Sequence, residues 1–294
     1  MTTTLLAATR IGPSTFDWGS RTFVMGILNL TPDSFSGDGL LVASDPVEAA
    51  VEQARRMVAE GADLLDVGGE STRPGHATVD VEAEAARVVP VIAALRAALP
   101  STPISIDTTK AAVAEAALDA GADLVNDVTG TDPDSPISAV AAARGVPIVL
   151  MHTRAEARYA DVVAEVVADL QAAVDRAIAA GIAPGNVIVD PGIGFGKTAE
   201  HNVALLHDLA RLGRIGRPIL LGTSRKSTIG KILDLPVEER LEGTLATTAL
   251  GIAAGADIVR VHDVQANIRV ARVSDAIVRG TWQDTDAPRD GGRT

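Results

Sequence analysis

The sequence predicts a (β/α)8 barrel preceded by a short N-terminal β-hairpin, and three observations carry that expectation. Eight apolar runs alternate with segments of helical spacing, about thirty residues apart, which is the length of a strand-plus-helix unit. The punctuation Gly-Ala-Asp recurs at Gly61, Gly121 and Gly255, each time between an alanine-rich helix and an apolar run. A glycine just past a helix end is the usual left-handed stop. Finally, nothing in the 294 residues reads as an interdomain linker before Gln283. Residues 1–282 are therefore expected to form one domain and residues 283–294 a disordered tail. A doubly wound open sheet is the alternative arrangement of the same units.

In chain order, the residues before Thr22 read as the hairpin, with Phe16-Asp-Trp-Gly-Ser20 as its turn, capping the bottom of the barrel. Phe23–Asn29 is the first barrel strand, and a polar loop from Thr31 to Gly39 follows. Asp45 and Pro46 supply a cap and a first-turn proline for a helix reaching Glu60, whose Val47, Val51, Ala54 and Val58 share one face. Further strands are expected from Leu64, at Ile104–Asp107, Leu124–Asn126, Ile148–His152, Val187–Asp190, Ile219–Thr223 and Ile258–His262. The helices between them are Val79–Leu99, Lys110–Ala120, Ile137–Ala143, Val162–Ala180, His201–Leu212, Leu241–Ala254 and Val264–Arg279.

Composition removes several function classes. With no cysteine there is no disulfide framework, thiolate metal site or cysteine nucleophile. A formal net charge of -12 argues against nucleic acid as a partner, so an anionic ligand must be met by a local cationic cluster. His201 and His207 lack the spacing of a zinc pair. No apolar run approaches bilayer length, and Leu5-Leu-Ala-Ala lacks a signal peptide's basic start. A soluble, cytoplasmic protein with no membrane partner is expected.

A barrel binds its ligand over the C-terminal ends of the strands. The residues ending the apolar runs are Asn29, Asp66, Asp107, Asn126, His152, Asp190, Ser224 with Lys226, and Arg260 with His262. Isolated buried carboxylates are costly, so this ring of acids and amides implies a ligand. A carboxylate accepts two parallel hydrogen bonds, which suits a planar heterocycle with adjacent N–H donors, such as a 2-amino-4-oxo pyrimidine edge. Arg260, His262, Arg225, Lys226 and Arg73 supply cations at the usual phosphate corner of a barrel, beside the start of the Val264 helix. Asp190-Pro-Gly-Ile-Gly-Phe-Gly-Lys197 ends like a phosphate-binding loop, but Pro191 stands where that motif needs its first glycine.

Seven motifs in order resemble those of the dihydropteroate synthases: Met25-Gly-Ile-Leu-Asn-Leu-Thr-Pro-Asp-Ser-Phe-Ser36, Gly68-Gly-Glu-Ser-Thr-Arg-Pro-Gly75, Ser105-Ile-Asp-Thr108, Asn126-Asp-Val128, Asp190 to Lys197, Gly222-Thr-Ser-Arg-Lys-Ser227 and Arg260-Val-His-Asp263. The resemblance runs from about Phe16 to Val278. It implies a transferase of folate biosynthesis that joins a dihydropterin methyl diphosphate to p-aminobenzoate with release of diphosphate.

By that resemblance Asp107, Asn126, Asp190 and Lys226 contact the pterin, while Thr72, Arg260 and His262 bind the diphosphate. Asn29 helps hold Mg²⁺. Phe35, Pro74, Phe195 and Ser227 form the p-aminobenzoate site, and Asp33, Phe35, Arg73 and Lys226 act in catalysis. The family's homodimer is implied as well, through outer helices such as those starting at Leu241 and Val264. The chain departs from the pattern in its fifth loop, Thr153 to Tyr159, in Ser36-Gly-Asp-Gly39 and at Thr228. Two alternatives share the pterin barrel: a corrinoid methyltransferase using methyltetrahydrofolate, which needs no diphosphate site, and a non-catalytic pterin-binding relative.

Overall fold

The computed structural model describes residues 6–30, 45–70, 79–280 and 282. The sequence-predicted site residues Asp33, Phe35, Thr72, Arg73 and Pro74, and the 283–294 tail, lie outside the described residues. β1 (Thr9–Ile11) and β2 (Ser14–Phe16) form the expected antiparallel hairpin. Its reversal falls at Gly12-Pro13, however, not at Phe16–Ser20. That second stretch is a separate turn, closed by Ser20 donating to the Asp17 carbonyl, which brings the chain round to the first barrel strand.

The barrel units follow: β3 (Phe23–Asn29), α1 (Pro46–Glu60), β4 (Leu64–Gly68), α2 (Val81–Ala98), β5 (Ile104–Asp107), α3 (Ala111–Ala120), β6 (Leu124–Asp127), α4 (Ile137–Arg144), β7 (Ile148–Met151), α5 (Val162–Ala179), β8 (Val187–Asp190), α6 (Ala199–His207), β9 (Leu220–Leu221), α7 (Ser227–Leu233), α8 (Leu241–Ala253), β10 (Ile258–Val261) and α9 (Val264–Arg279). The eight parallel strands run in the order β8-β7-β6-β5-β4-β3-β10-β9. A bridge between Val189 and Ile219 closes the ring, with the Val189 N–H donating to the Pro218 carbonyl at 2.9 Å.

Most element ends lie within two residues of their sequence-based positions. Two regions differ. The predicted strand Ile219–Thr223 keeps only Leu220–Leu221 in regular pairing, and the chain then enters α7, a seven-residue helix whose Gly230 and short length hide it from a periodicity test. The predicted helix His201–Leu212 ends at His207 and continues as a 3-10 segment, Leu209–Ile215. Among the described residues no helix is long and apolar enough to cross a membrane.

Each Gly-Ala-Asp triplet does more than end a helix. After the left-handed glycine, its aspartate reaches sideways to a neighbouring strand start: Asp63 accepts from the Val24 N–H at 2.8 Å, Asp123 from Ile104 at 2.9 Å and Asp257 from Ile219 at 2.9 Å. Backbone donors at the bottom rim, which have no ladder partner there, are thereby satisfied. Arg21 pairs with Asp63, Arg96 with Asp123.

The bottom of the barrel is filled from two sources. Phe23, Met25, Leu64, Leu124, Val149, Ile188, Leu220 and Ile258 point inward from the strands, and Ile11, Phe16 and Trp18 enter from the hairpin side. Phe16 packs on Phe23 with ring centroids 4.6 Å apart and planes tilted by 51°, and Trp18 meets Phe23 edge-on at 5.5 Å. The Trp18 Nε1–H donates to the Thr9 hydroxyl at 2.8 Å, which donates to the Gly185 carbonyl. The hairpin thus caps the core as expected, leaving the polar groups to the opposite mouth. Phe16→Ala is expected to destabilise the protein by about 3–5 kcal/mol, the range for emptying a large aromatic site in a packed core; urea denaturation reads this directly.

Candidate active site

Strand register sets the floor of the mouth. Asn29 pairs with Gly68, Gly68 with Asp107 and Asp107 with Asn126, so one row crosses the ends of β3, β4, β5 and β6. Gly68 leaves that row open between its polar neighbours. A Cβ placed there would lie 3.8 Å from Asp107 Oδ2 and 3.9 Å from Asn29 Oδ1. From β10, Arg260 reaches across to this row: its Nε donates to Asp66 Oδ2 at 2.6 Å and its Nη2 to Asp107 Oδ2 at 2.7 Å. Asn126 Nδ2 donates to the same Asp66 oxygen at 3.1 Å.

The sequence expectation placed acids on one flank and cations on the other. Instead Arg260 sits within the acid cluster, because two buried carboxylates so close together require a counter-charge. Burial pushes the Asp107 carboxyl up to about 7, opposed by Arg260 and reinforced by Asp66. Burial works against the charged form of Arg260 too, but Asp66 and Asp107 outweigh it and hold the guanidinium above its ordinary value. Asp107 Oδ1 and Asp66 Oδ1 are buried and have no hydrogen-bond partner among the described residues.

The second half of the site is the loop after β8. Asp190 Oδ1 accepts from the Gly192 N–H at 2.7 Å. Its pKa is raised by burial and opposed first by Lys226. Lys226 donates to the Ile193 carbonyl, and its ammonium lies 4.5 Å from the Phe195 ring centroid. Gly222 joins the two halves: a Cβ there would lie 3.8 Å from Asp190 Oδ2, 3.9 Å from Arg260 Cβ and 4.0 Å from Lys226 Nζ. Asp107, Asn126, Asp190, Lys226, Phe195 and Arg260 are therefore gathered around one opening.

Lys197, rejected above as a phosphate ligand, turns under this loop. Its Nζ donates to His152 Nδ1 at 2.9 Å, to the Gly192 and Phe195 carbonyls at 3.0 Å and to the His152 carbonyl at 3.2 Å. Gly192, at φ 65°, packs so closely that a Cβ would collide with the His152 carbonyl oxygen. His152 is wholly buried, and its Nε2–H donates to Asp169 at 3.0 Å. It directly follows β7, one residue past the strand's end at Met151, and ties the fold together beneath the mouth.

Near β10, Ser224 Oγ lies 2.9 Å from His262 Nδ1 and accepts the His262 backbone N–H at 3.2 Å. Arg225, expected among the phosphate-corner cations, is paired with Asp263 by bonds of 2.9 and 2.6 Å. Ser227 is exposed as the first residue of α7. Thr228 turns inward, accepting from Asn202 Nδ2 at 2.9 Å, while Asn202 Oδ1 holds the Gly194 N–H at 2.9 Å. This departure from the family pattern thus braces the β8 loop.

Sequence reasoning gave no role to Lys197, nor to the cluster in which Lys110 binds Glu70 and the buried Glu84. Glu70 also accepts the Val79 N–H at 3.0 Å, joining the two ends of the second loop. Spacing contained no signal for either: Lys110 meets Glu70 and Glu84 across separate units, and Lys197 turns back onto Gly192 and Phe195 of its own loop while reaching across to His152.

This is a barrel of the class that holds a polar heterocycle over its strand ends. The sequence profile of the pterin binding enzymes matches residues 25–262. A dihydropteroate synthase of Clostridium beijerinckii is 50% identical over 271 residues, covering 92% of this chain and 99% of the relative. The structure of a Clostridium difficile dihydropteroate synthase in the presence of pteroic acid superposes with a TM-score of 0.85, at 48% identity, over 90% of this chain and 99% of the other. A Xanthomonas albilineans dihydropteroate synthase with 4-aminobenzoic acid gives a TM-score of 0.82, at 45% identity, over 87% and 93%. The chain belongs to the dihydropteroate synthase family of pterin binding enzymes.

The buried histidine yields a pH test. Burial, helped by Lys197 and Arg154 and opposed by Asp169, lowers the His152 pKa from 6.5 to about 4. Between those values the unfolded chain binds a proton that the folded one does not, so stability falls as pH drops from about 6.5 and levels off below about 4. The loss is about 3 kcal/mol across that window. Lys197, held down to about 7 by burial, adds its own slope only above that pH. Urea titrations at several pH values are expected to show the acid-side loss in the native sequence and to lose that component in His152→Gln.

Proposed function

We propose that this chain catalyses dihydropteroate synthesis in folate biosynthesis. A (7,8-dihydropterin-6-yl)methyl diphosphate loses diphosphate, and the methylene carbon is captured by the amine of p-aminobenzoate, which gives up a proton, yielding 7,8-dihydropteroate. The observation that carries the reading is the convergence of buried acceptors at one opening: Asp107 Oδ1 without a partner, Asn126 beside it, and Asp190 across from them. A pterin edge has the adjacent N–H donors that such acceptors need. Relatives solved with pteroic acid and with 4-aminobenzoic acid support the same substrates.

On this reading Asp107, Asn126 and Asp190 hold the pterin ring, and Lys226, directed by Ile193 and Phe195, donates to it from the other side. Arg260, His262 and Thr72 bind the diphosphate. With Ser224 donating to His262 Nδ1, the ring proton of His262 stays on Nε2, a donor suited to a phosphate oxygen. Asn29 offers a single neutral oxygen beside the open Gly68, and among the described residues no group of three or more acids or histidines could cage a metal. That donor set fits Mg²⁺, which takes few protein oxygens and completes its shell with substrate phosphates and water. Bound at Asn29, Mg²⁺ would neutralise charge developing on the departing diphosphate.

Asp33 stabilises the cationic methylene, and Arg73 acts with it in catalysis. Phe35, Pro74, Phe195 and Ser227 hold p-aminobenzoate. The exposed Leu250, Val273, Ile277 and Val278 on α8 and α9 support pairing with a second copy as a homodimer.

Turnover tests the whole reading: with Mg²⁺, the pterin diphosphate and p-aminobenzoate, diphosphate and dihydropteroate are expected in equal amounts, and release of neither refutes it. Asp190→Asn is expected to weaken pterin binding at least about tenfold by calorimetry, because half of the new amide presents a donor to a ligand donor.

A further inference from the structure

We infer that Asp66 is a positioning residue that sets the recognition polarity of the pterin site by holding the Asn126 amide in one orientation. The inference rests on the pterin reading above and adds a role that the site residues named there do not include. Asp66 is wholly buried on β4, two strands over from Asn126 on β6, with β5 between them. One oxygen, Oδ2, takes both the Asn126 Nδ2 bond at 3.1 Å and the Arg260 Nε bond at 2.6 Å.

An asparagine amide can present either end to a ligand, since its oxygen accepts and its nitrogen donates. A carboxylate paired with a guanidinium offers acceptors only, so the nitrogen of Asn126 must face Asp66. The amide oxygen is then left for the opening, alongside the acceptors of Asp107 and Asp190. Without Asp66 the amide could turn over and present a donor, and the floor would no longer discriminate against a ring with a lone pair at that position.

The same carboxylate also fixes Arg260 against Asp107. Ring recognition and the first diphosphate cation are therefore set by one buried group.

Binding of two bare ligands separates this from a merely structural role. Pterin carries the 2-amino-4-oxo edge, whereas 2,4-diaminopteridine has a lone pair at ring N3 where pterin has an N–H. Calorimetry on the native protein is expected to favour pterin at least about tenfold. In Asp66→Ala that ratio is expected to fall severalfold, whereas Asp66→Asn, whose carbonyl can still accept from Asn126 and Arg260, keeps it. Equal weakening of both ligands in Asp66→Ala, with the native ratio retained, overturns the inference, as does a native protein that binds both rings equally.

If Asp66→Ala does not fold, the native protein supplies the answer by NMR. The Asn126 side-chain amide, identified by its loss in Asn126→Asp, is expected to stay protected from exchange and unshifted when pterin replaces 2,4-diaminopteridine. A large change between the two complexes means that the amide turns, which also overturns the proposal. Failure of the native protein to bind pterin at all would instead refute the functional reading.

Discussion

One guanidinium shared by two buried carboxylates is the constraint on which the mouth depends. Arg260 neutralises part of the charge of Asp66 and Asp107, which lie too deep to rely on water. The arrangement fixes three strands relative to one another, since β4, β5 and β10 each contribute one member. It also leaves one oxygen of each carboxylate without a partner among the described residues. A folded protein bears that cost where a ligand or ordered water completes the bonding, so the same spare acceptors that make the floor expensive make it selective.

The opposite side of the opening is built differently. There the backbone supplies most of the polar groups, and glycines permit it to approach closely. Lys197 gathers three carbonyls and a histidine nitrogen beneath the loop, and Asn202 with Thr228 pins it from the α6 side. The carbonyl of Ile193 and the face of Phe195 are thereby left where Lys226 meets them. A rigid acid floor and a braced backbone loop are complementary solutions to holding a planar ring between them.

Much of this was legible in the residues. Alternation of apolar runs with helical spacing located all eight barrel strands, because strand burial and amphipathic helices leave periodic traces. The strand-end rule then selected Asp107, Asn126, Asp190 and Arg260, since chain direction and barrel geometry together force those positions to converge. Pairing was not legible. That Arg260 would face Asp66 and Asp107, and that Arg225 would be held by Asp263, depend on distances between separate units of the chain, while the fold of Lys197 under its own loop depends on backbone turns that residue spacing does not encode. The hairpin reversal was misplaced for a simpler reason: two turn-prone stretches lie within ten residues, and composition favours the wrong one. The antiparallel register of Thr9–Ile11 against Ser14–Phe16 shows which is the hairpin.

The aspartates that follow the helix-ending glycines have a reach beyond the rim where they sit. Asp123 grips the backbone of Ile104, and Asp107 stands three residues further up the same strand, about 10 Å away at strand rise. Side chains alternate faces along a strand, so sliding β5 by a single residue would turn that carboxylate outward into the helical layer. A contact at the sealed end of the barrel therefore works as a ruler for the open end: the distance at which substrate groups are met is measured from the far side of the molecule.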